Sequence, residues 1–264
     1  MLTSLLVLLA LVGLGVPAAL YALQDRLLFF PQPVEGAQRE AILRRHPGLR
    51  EAWIETSTGR RHAWHLPGDG TQPLILYFGG NAEEVSWMIP EAMSRTPGQA
   101  WLLVDYPAYG ASEGEPSQAA IEADALQWHD HATQVLRAGE VIVFGRSLGS
   151  GAAVYLASQR PVKAVILATP YDSLVAVAAH HYPFVPVRLL LRHPFDSLAR
   201  AGGLRVPLLC IAAGRDEVIP PAHARRLFEA WTGPKRWVEI PNAGHNGTDG
   251  APEFWKSITA FLQQ

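Results

Sequence analysis

The chain has 264 residues, of which 48% are hydrophobic and 17% charged, so it is long enough and apolar enough to bury one large core. A net charge of -2 offers no basic field for nucleic acid. The single cysteine, Cys210, excludes an intrachain disulfide and lies in an apolar run that reads as core.

The first 24 residues carry no charged side chain. Roughly 20 apolar residues suffice to cross a bilayer as a helix. No Lys or Arg precedes this run and no clean small-x-small site follows it, which argues against a cleaved signal peptide. A buried core helix is a further alternative, but the run has no polar face. Residues 1–24 are therefore expected to be a single-span anchor, with residues 25–264 forming the rest of the protein. Arg26, Arg39, Arg44 and Arg45 all follow the span, which favours a cytoplasmic location for what comes after it. The exit Leu27–Pro33 is apolar and then proline-bounded, and is expected to pack on the domain or lie at the interface.

Next, Trp53–Thr56 and His62–His65 read as a hairpin across Thr58-Gly59. Six short apolar runs follow, at Leu74–Phe78, Trp101–Asp105, Val141–Phe144, Ala164–Ala168, Leu208–Ala212 and Trp237–Ile240. Such runs suit strands buried on both faces. Between them lie helical stripes. Ile121, Ala125, Trp128, Ala132 and Val135 form one, with Ser117 as N-cap. Ala224, Leu227, Phe228 and Trp231 form a second, and Phe254, Ile258, Phe261 and Leu262 a third. The alternation predicts an α/β fold, a mostly parallel sheet of about eight strands flanked by helices.

The segment between Ala168 and Leu208 is longer than the 10–12 or more residues a crossover needs. It contains Tyr171, His180, His181, Tyr182 and the run Leu189–Leu191. Residues 171–203 read as a short lid insert, or equally as one crossover helix with a loop. As a lid it would bring Tyr171 and Tyr182 to a substrate and favour an acyl group over a charged one.

The chemistry centres on Gly145-Arg-Ser-Leu-Gly149, placed after the strand Val141–Phe144 and before the small-residue helix Ser150–Ser158. A G-x-S-x-G turn between strand and helix lifts a serine out of the sheet and aims free helix N–H groups at developing negative charge. The alternative is a glycine-rich turn whose serine merely caps the helix. As a nucleophile Ser147 needs a base and an acid. His245, after the last strand, is the preferred base. His180 and His181 read as lid residues, His129 and His131 as a solvated helix face, and His62 and His65 lie on the early hairpin. Asp216, after Leu208–Ala212, is the preferred acid, with Asp172 as rival or as a turn residue beside Ser173. Backbone N–H groups of Leu148 and Asn81 are expected to hold an oxyanion, with Gly80 giving close approach to substrate. No histidine shows metal-site spacing with carboxylates, so neither metal nor cofactor is expected.

The chain resembles the membrane-anchored α/β-hydrolases of the BEM46-like group, relatives of the serine aminopeptidase S33-like set. The matching pieces are Gln24–Pro31, Phe78–Ala82, Asp105–Gly114, Gly145–Gly149, Gly214–Pro220 and Gly244-His245. The resemblance implies the α/β-hydrolase fold, with Ser147, Asp216 and His245 as nucleophile, acid and base and Asn81 in the oxyanion loop. The family's usual His-Gly-Asn is Gly79-Gly-Asn81 here, which keeps the backbone donor and removes a side chain. Pro107 replaces the family's commoner Arg. The function this implies is hydrolysis of a small-molecule carboxylic ester or thioester through an acyl-enzyme. An aminopeptidase-like peptidase, or a membrane-tethered binding protein on a hydrolase scaffold, is the alternative. Oligomeric state is not legible.

Overall fold

Along each central strand, alternate side chains point to opposite faces, so a strand covered on both sides must be apolar throughout. The computed structural model describes Gly13 and residues 15–264. In it β3 (Leu74–Phe78), β4 (Trp101–Val104), β5 (Val141–Arg146), β6 (Ala164–Ala168) and β7 (Leu208–Ala213) are buried at every position. With β1 (Arg50–Thr56), β2 (Gly59–Leu66) and β8 (Lys235–Ile240) they form one eight-stranded sheet, ordered β1-β2-β4-β3-β5-β6-β7-β8. The β1-β2 and β2-β4 pairs are antiparallel, and the others are parallel.

Two core layers follow from the alternation. Leu76, Val143, Leu167 and Cys210 face α4 (Gln118–Gln134), α5 (Leu148–Gln159) and α9 (Pro221–Ala230), reached after α1 (Val16–Leu28), α2 (Gly36–Arg45) and α3 (Met88–Arg95) in the chain. Ile75, Tyr77, Phe144, Ile166 and Ile211 face α3 and α10 (Pro252–Leu262) on the other side. Ser117 caps α4, its hydroxyl accepting from Ala120 N at 3.1 Å. Residues 171–203 fold into three short helices, α6 (Leu174–His181), α7 (Val187–Leu190) and α8 (Leu198–Ala201). A single crossover helix is therefore not what fills this segment.

Residues 1–12 and 14 lie outside the described residues, so most of the expected span does too. Among the described residues no helix is long and apolar enough to cross a membrane. Residues 16–28 form α1, and the exit behind it packs on the domain: Phe29 is buried, and Gly110 N donates to Gln32 O at 2.9 Å.

One buried ion pair ties the hairpin to α4. Arg61 Nε donates to Asp124 Oδ2 at 2.6 Å, with 1% and 6% of the two side chains exposed. Arg61 also donates to the carbonyls of Gly59 and Glu113. Removing one partner strands a buried charge. Asp124→Ala is expected to lower unfolding free energy by about 3–5 kcal/mol, read as an earlier midpoint in urea.

Candidate active site

β5 ends in Arg146, and Ser147 follows with φ 50° and ψ -117°, a left-handed backbone that costs a non-glycine residue about 1–3 kcal/mol. The surroundings enforce it. Ser147 N donates to Ala168 O at the end of β6 at 2.9 Å, and α5 starts at the next residue. A Cβ on Gly149 would strike the Phe78 carbonyl, and one on Gly145 would strike the Gly149 carbonyl. Only glycines let α5 come this close to β3 and β5, which is why the elbow closes.

Ser147 Oγ lies 2.8 Å from His245 Nε2. His245 Nδ1 lies 2.7 Å from Asp216 Oδ2. The other oxygen of Asp216 accepts from Val218 N at 2.9 Å and Ile219 N at 2.7 Å, which fixes the carboxylate. Asp216 comes from the loop after β7 and His245 from the loop after β8. All these groups lie at the carboxyl ends of their strands, where open α/β sheets bind ligands. A carboxylate facing Nδ1 holds the proton there and leaves Nε2 free to accept from the serine hydroxyl. In this geometry the imidazole can take the Ser147 proton as Oγ attacks.

Asp172, the rival acid, is elsewhere. It accepts from His223 Nδ1 at 2.7 Å, Arg226 Nε at 2.7 Å and Ser173 N at 2.7 Å. His129 is buried, with Nε2 3.0 Å from Pro161 O, so it is not on a solvated face. His62 is buried against Asp105, Nδ1 to Oδ2 at 2.6 Å. His65 is half-buried, and burial pushes its pKa down to about 4, with Arg50 and His131 adding to the shift. Among the described residues, no cluster of three or more His, Cys, Asp or Glu is placed to hold a metal ion.

A cavity of about 530 Å³ opens on Ser147 and His245, bounded by Phe30, Gly80, Asn81, Trp87, Val218 and Asn246. The N–H of Leu148 starts α5 and has no acceptor among the described residues, as expected for a first helical turn. The same holds for Asn81 N–H, whereas Gly80 N–H is committed to Glu83 Oε2 at 2.6 Å. Two of the expected residues do not reach this cavity. Tyr171 is fully buried with its hydroxyl donating to Leu148 O at 3.0 Å, so it supports the elbow and does not meet substrate there. Tyr182 lies 62% exposed on the insert and borders a separate groove.

Glu83 is the main site feature that motif reading passes over. Its Oε1 accepts from Tyr77 OH at 2.6 Å and Trp87 Nε1 at 2.9 Å, and its Oε2 accepts from Gly80 N. Arg146 Nη1 approaches Oε2 at 3.3 Å and reaches Asp249 Oδ1 with its other nitrogen at 3.5 Å. Burial pushes the Tyr77 phenol well up, with Glu83 adding to the shift, so it stays a donor. Asn81 is held as firmly. Its Oδ1 accepts from Tyr109 OH at 2.6 Å and Phe30 N at 3.0 Å, and its Nδ2 donates to Leu28 O at 2.6 Å. Tyr106 OH donates to Gly79 O at 2.7 Å. The only hint in the sequence is a carboxylate two residues beyond the Gly-Gly-Asn loop.

An eight-stranded sheet of this order, with a strained serine after β5 and an Asp–His pair after β7 and β8, defines the α/β-hydrolase class. Comparison with known proteins agrees. An uncharacterized protein of Mycobacterium tuberculosis is 36% identical over 244 residues, covering 90% of this chain and 85% of that protein. The alpha/beta hydrolase domain-containing protein WAV2 of Arabidopsis thaliana is 28% identical, covering 94% of this chain and 90% of that protein. An uncharacterized membrane protein of Saccharomyces cerevisiae is 28% identical over 93% of this chain and 90% of its own length. Among solved structures, an alpha-beta hydrolase from Vibrio vulnificus superposes with a TM-score of 0.72 at 16% identity, covering 95% of this chain and 93% of that one. The esterase Pf2001 of Pyrococcus furiosus gives 0.65 at 16% identity, covering 89% and 95%. No family model matches. The chain has the α/β-hydrolase fold and is similar over nearly its whole length to a protein that carries an α/β-hydrolase domain.

Proposed function

We propose that this protein is a serine hydrolase that cleaves carboxylic ester or thioester bonds through an acyl-enzyme on Ser147. The observation that carries this reading is the continuous relay from Ser147 Oγ through His245 to Asp216, at 2.8 and 2.7 Å. His245 Nε2 takes the hydroxyl proton as Oγ attacks the acyl carbon. The N–H groups of Leu148 and Asn81 receive the oxyanion. Collapse expels the alcohol or thiol, which takes the proton from His245. Water, activated by the same imidazole, then frees the acid.

The cavity at Ser147 has room for a small acyl substrate, and its walls are mixed, with Phe30, Trp87 and Val218 beside Glu83, Glu84, Arg146 and Asp249. An esterase of Pyrococcus furiosus and a monoacylglycerol lipase of Paleococcus ferrophilus share this fold, which supports an ester bond as the target. Side-by-side turnover of p-nitrophenyl esters, the matching thioesters and aminoacyl anilides tests the bond class. The expected result is ester and thioester turnover, and anilide turnover alone would replace this reading with a peptidase.

Asp216→Asn would leave Nδ1 without its carboxylate and the imidazole in the wrong tautomer. A fall in kcat of about 10⁴-fold is expected, with substrate affinity little changed, as read from steady-state kinetics on an aryl ester. Glu83→Ala would release Gly80 and loosen the loop carrying Asn81. The expected loss in kcat is on the order of 10²-fold, and Glu83→Gln should recover part of it.

We further propose that residues 1–24 anchor the hydrolase domain, 25–264, in a membrane with the domain on the cytoplasmic side. The uncharged start of the chain, the arginines behind it and the membrane-protein name of the yeast relative support this. Protease accessibility of the C-terminal domain in sealed vesicles tests it.

A further inference from the structure

The loop that carries Asn81 N–H is strained and does not hold itself. Ala82, directly after Asn81, has φ 55°, a left-handed backbone that a residue with a Cβ keeps only when its surroundings impose it. On one side Glu83 ties down Gly80 N. On the other side the Asn81 side chain fastens the loop to the stretch that leads from α1 into the domain. Its Nδ2 donates to Leu28 O at 2.6 Å, and its Oδ1 accepts from Phe30 N at 3.0 Å. Tyr109, from the segment after β4, closes the ring. Its hydroxyl donates to Asn81 Oδ1 at 2.6 Å and accepts from Phe30 N at 2.9 Å. Burial pushes the Tyr109 phenol up to about 12, so the hydroxyl keeps its proton. An amide meets one carbonyl and one N–H of the strap at once, which neither a carboxylate nor a methyl can do.

The strap is itself pinned on both sides of these contacts. Upstream, buried Gln24 of α1 donates to Leu190 O at 3.0 Å and accepts from Arg192 N at 2.7 Å. Asp25 takes Arg192 Nη2 at 2.7 Å and His193 Nε2 at 2.8 Å. Downstream, Gly110 N donates to Gln32 O at 2.9 Å and Gly110 O accepts from Val34 N at 2.7 Å, a short parallel bridge. Between the two pins Phe29 is buried edge-on against His193, with ring centroids 5.2 Å apart. Leu28 O and Phe30 N are therefore fixed relative to the sheet and can act as a template for the loop. The ring of Phe30 also bounds the cavity at Ser147.

We infer that residues 28–30, which precede the first strand, are a positioning part of the active site: through the Asn81 side chain and the Tyr109 hydroxyl they set Asn81 N–H against the oxyanion. The inference rests on the esterase reading and names what controls its oxyanion hole. A donor aimed at charge that exists only in the transition state acts on kcat and leaves substrate binding alone. Misplacing such a group by about 1 Å costs on the order of 10²-fold in rate.

The test uses the full chain in phospholipid nanodiscs and three changes. Tyr109→Phe removes the hydroxyl, and Asn81→Ala removes the amide but keeps the backbone N–H. Phenyllactic acid in place of Phe30 turns that N–H into an ester oxygen and keeps the ring. Each is read by kcat and KM on p-nitrophenyl acetate and by the pH dependence of kcat/KM. A further readout is the inhibition constant of an alkyl trifluoromethyl ketone, whose hemiketal on Ser147 carries an oxyanion. Tyr109→Phe and the backbone ester should each lower kcat about 10-fold, and Asn81→Ala about 100-fold. KM and the pH midpoint should stay, and ketone affinity should fall by the same factor as kcat. Tyr109→Phe should add little in an Asn81→Ala background, since both act through one side chain. The backbone ester is the mildest change and decides the matter if the side-chain variants fail to fold. Unchanged kcat in the ester variant, or losses in kcat without a matching loss of ketone affinity, would overturn the inference. So would a moved pH midpoint, which would place the damage at His245 and Asp216. A wild type that turns over no ester yet binds the ketone would overturn the esterase reading alone, with the strap then judged on ketone affinity. A wild type that does neither would overturn both.

Discussion

Ser147→Ala is expected to lower turnover of an aryl ester by about 10⁵-fold or more while leaving the melting temperature unchanged or slightly raised. The size of the effect follows from removal of the atom that bonds to the acyl carbon. Background from the oxyanion donors and from binding is all that can persist. The effect on stability follows from the backbone. Ser147 carries a positive φ that neither serine nor alanine favours, and among the described residues its Oγ has one partner, His245. Losing the hydroxyl removes one hydrogen bond from a half-open site and leaves the strain as it is. Calorimetry and ester kinetics on the same preparation separate the two quantities.

Gly149→Ala is expected to act in the opposite way, through the fold. The new methyl would meet the Phe78 carbonyl and stand 2.6 Å from the Gly79 carbonyl. Both belong to backbone at the end of β3, where no side chain can swing aside. Relief requires α5 to move away from the sheet, across a face that is buried from Leu148 to Val154. A destabilisation of about 3 kcal/mol is expected, seen as a fall in melting temperature of roughly 10 °C. Activity at low temperature should fall as well, because α5 carries the N–H of Leu148. A variant as stable and active as wild type would mean that the elbow is far less tightly packed than described.

The parts of this molecule legible in its sequence are those fixed by local rules. Strands β3 and β6 coincide with apolar runs at both ends because strands buried on both faces admit no polar residue. Strand β8 starts at Lys235, two residues before its apolar run, because an edge strand can leave polar residues in water. The nucleophile elbow is legible because glycine on both sides of Ser147 is a steric demand that the chain itself displays. Asp216 could be set above Asp172 on chain order, and the geometry separates them, since Asp172 serves His223 and Arg226.

What could not be read depends on contacts between distant segments. Glu83-Glu84 looks like a pair of solvated carboxylates, yet Glu83 takes Tyr77, the Gly80 N–H and Trp87 from within six residues of itself and meets Arg146 from the end of β5. No periodicity announces that convergence. Tyr171 and Tyr182 are both aromatics of the insert, and nothing local shows that one is sealed under α5 while the other stands in the open. The insert itself is built from helices of four to eight residues broken by prolines, too short for a hydrophobic stripe to declare a face. Its partner, α1, is legible only as an apolar stretch. The polar pair Gln24 and Asp25, at the end of that stretch, turns out to be the clamp that holds the insert.

The account stands on Ser147 being an activated nucleophile. Wild-type protein treated with a fluorophosphonate and mapped by peptide mass spectrometry should carry one phosphonyl group on Ser147, formed much more slowly in His245→Ala and not at all in Ser147→Ala. Wild type that takes up no label, or Ser147→Ala labelled to the same extent, would contradict it.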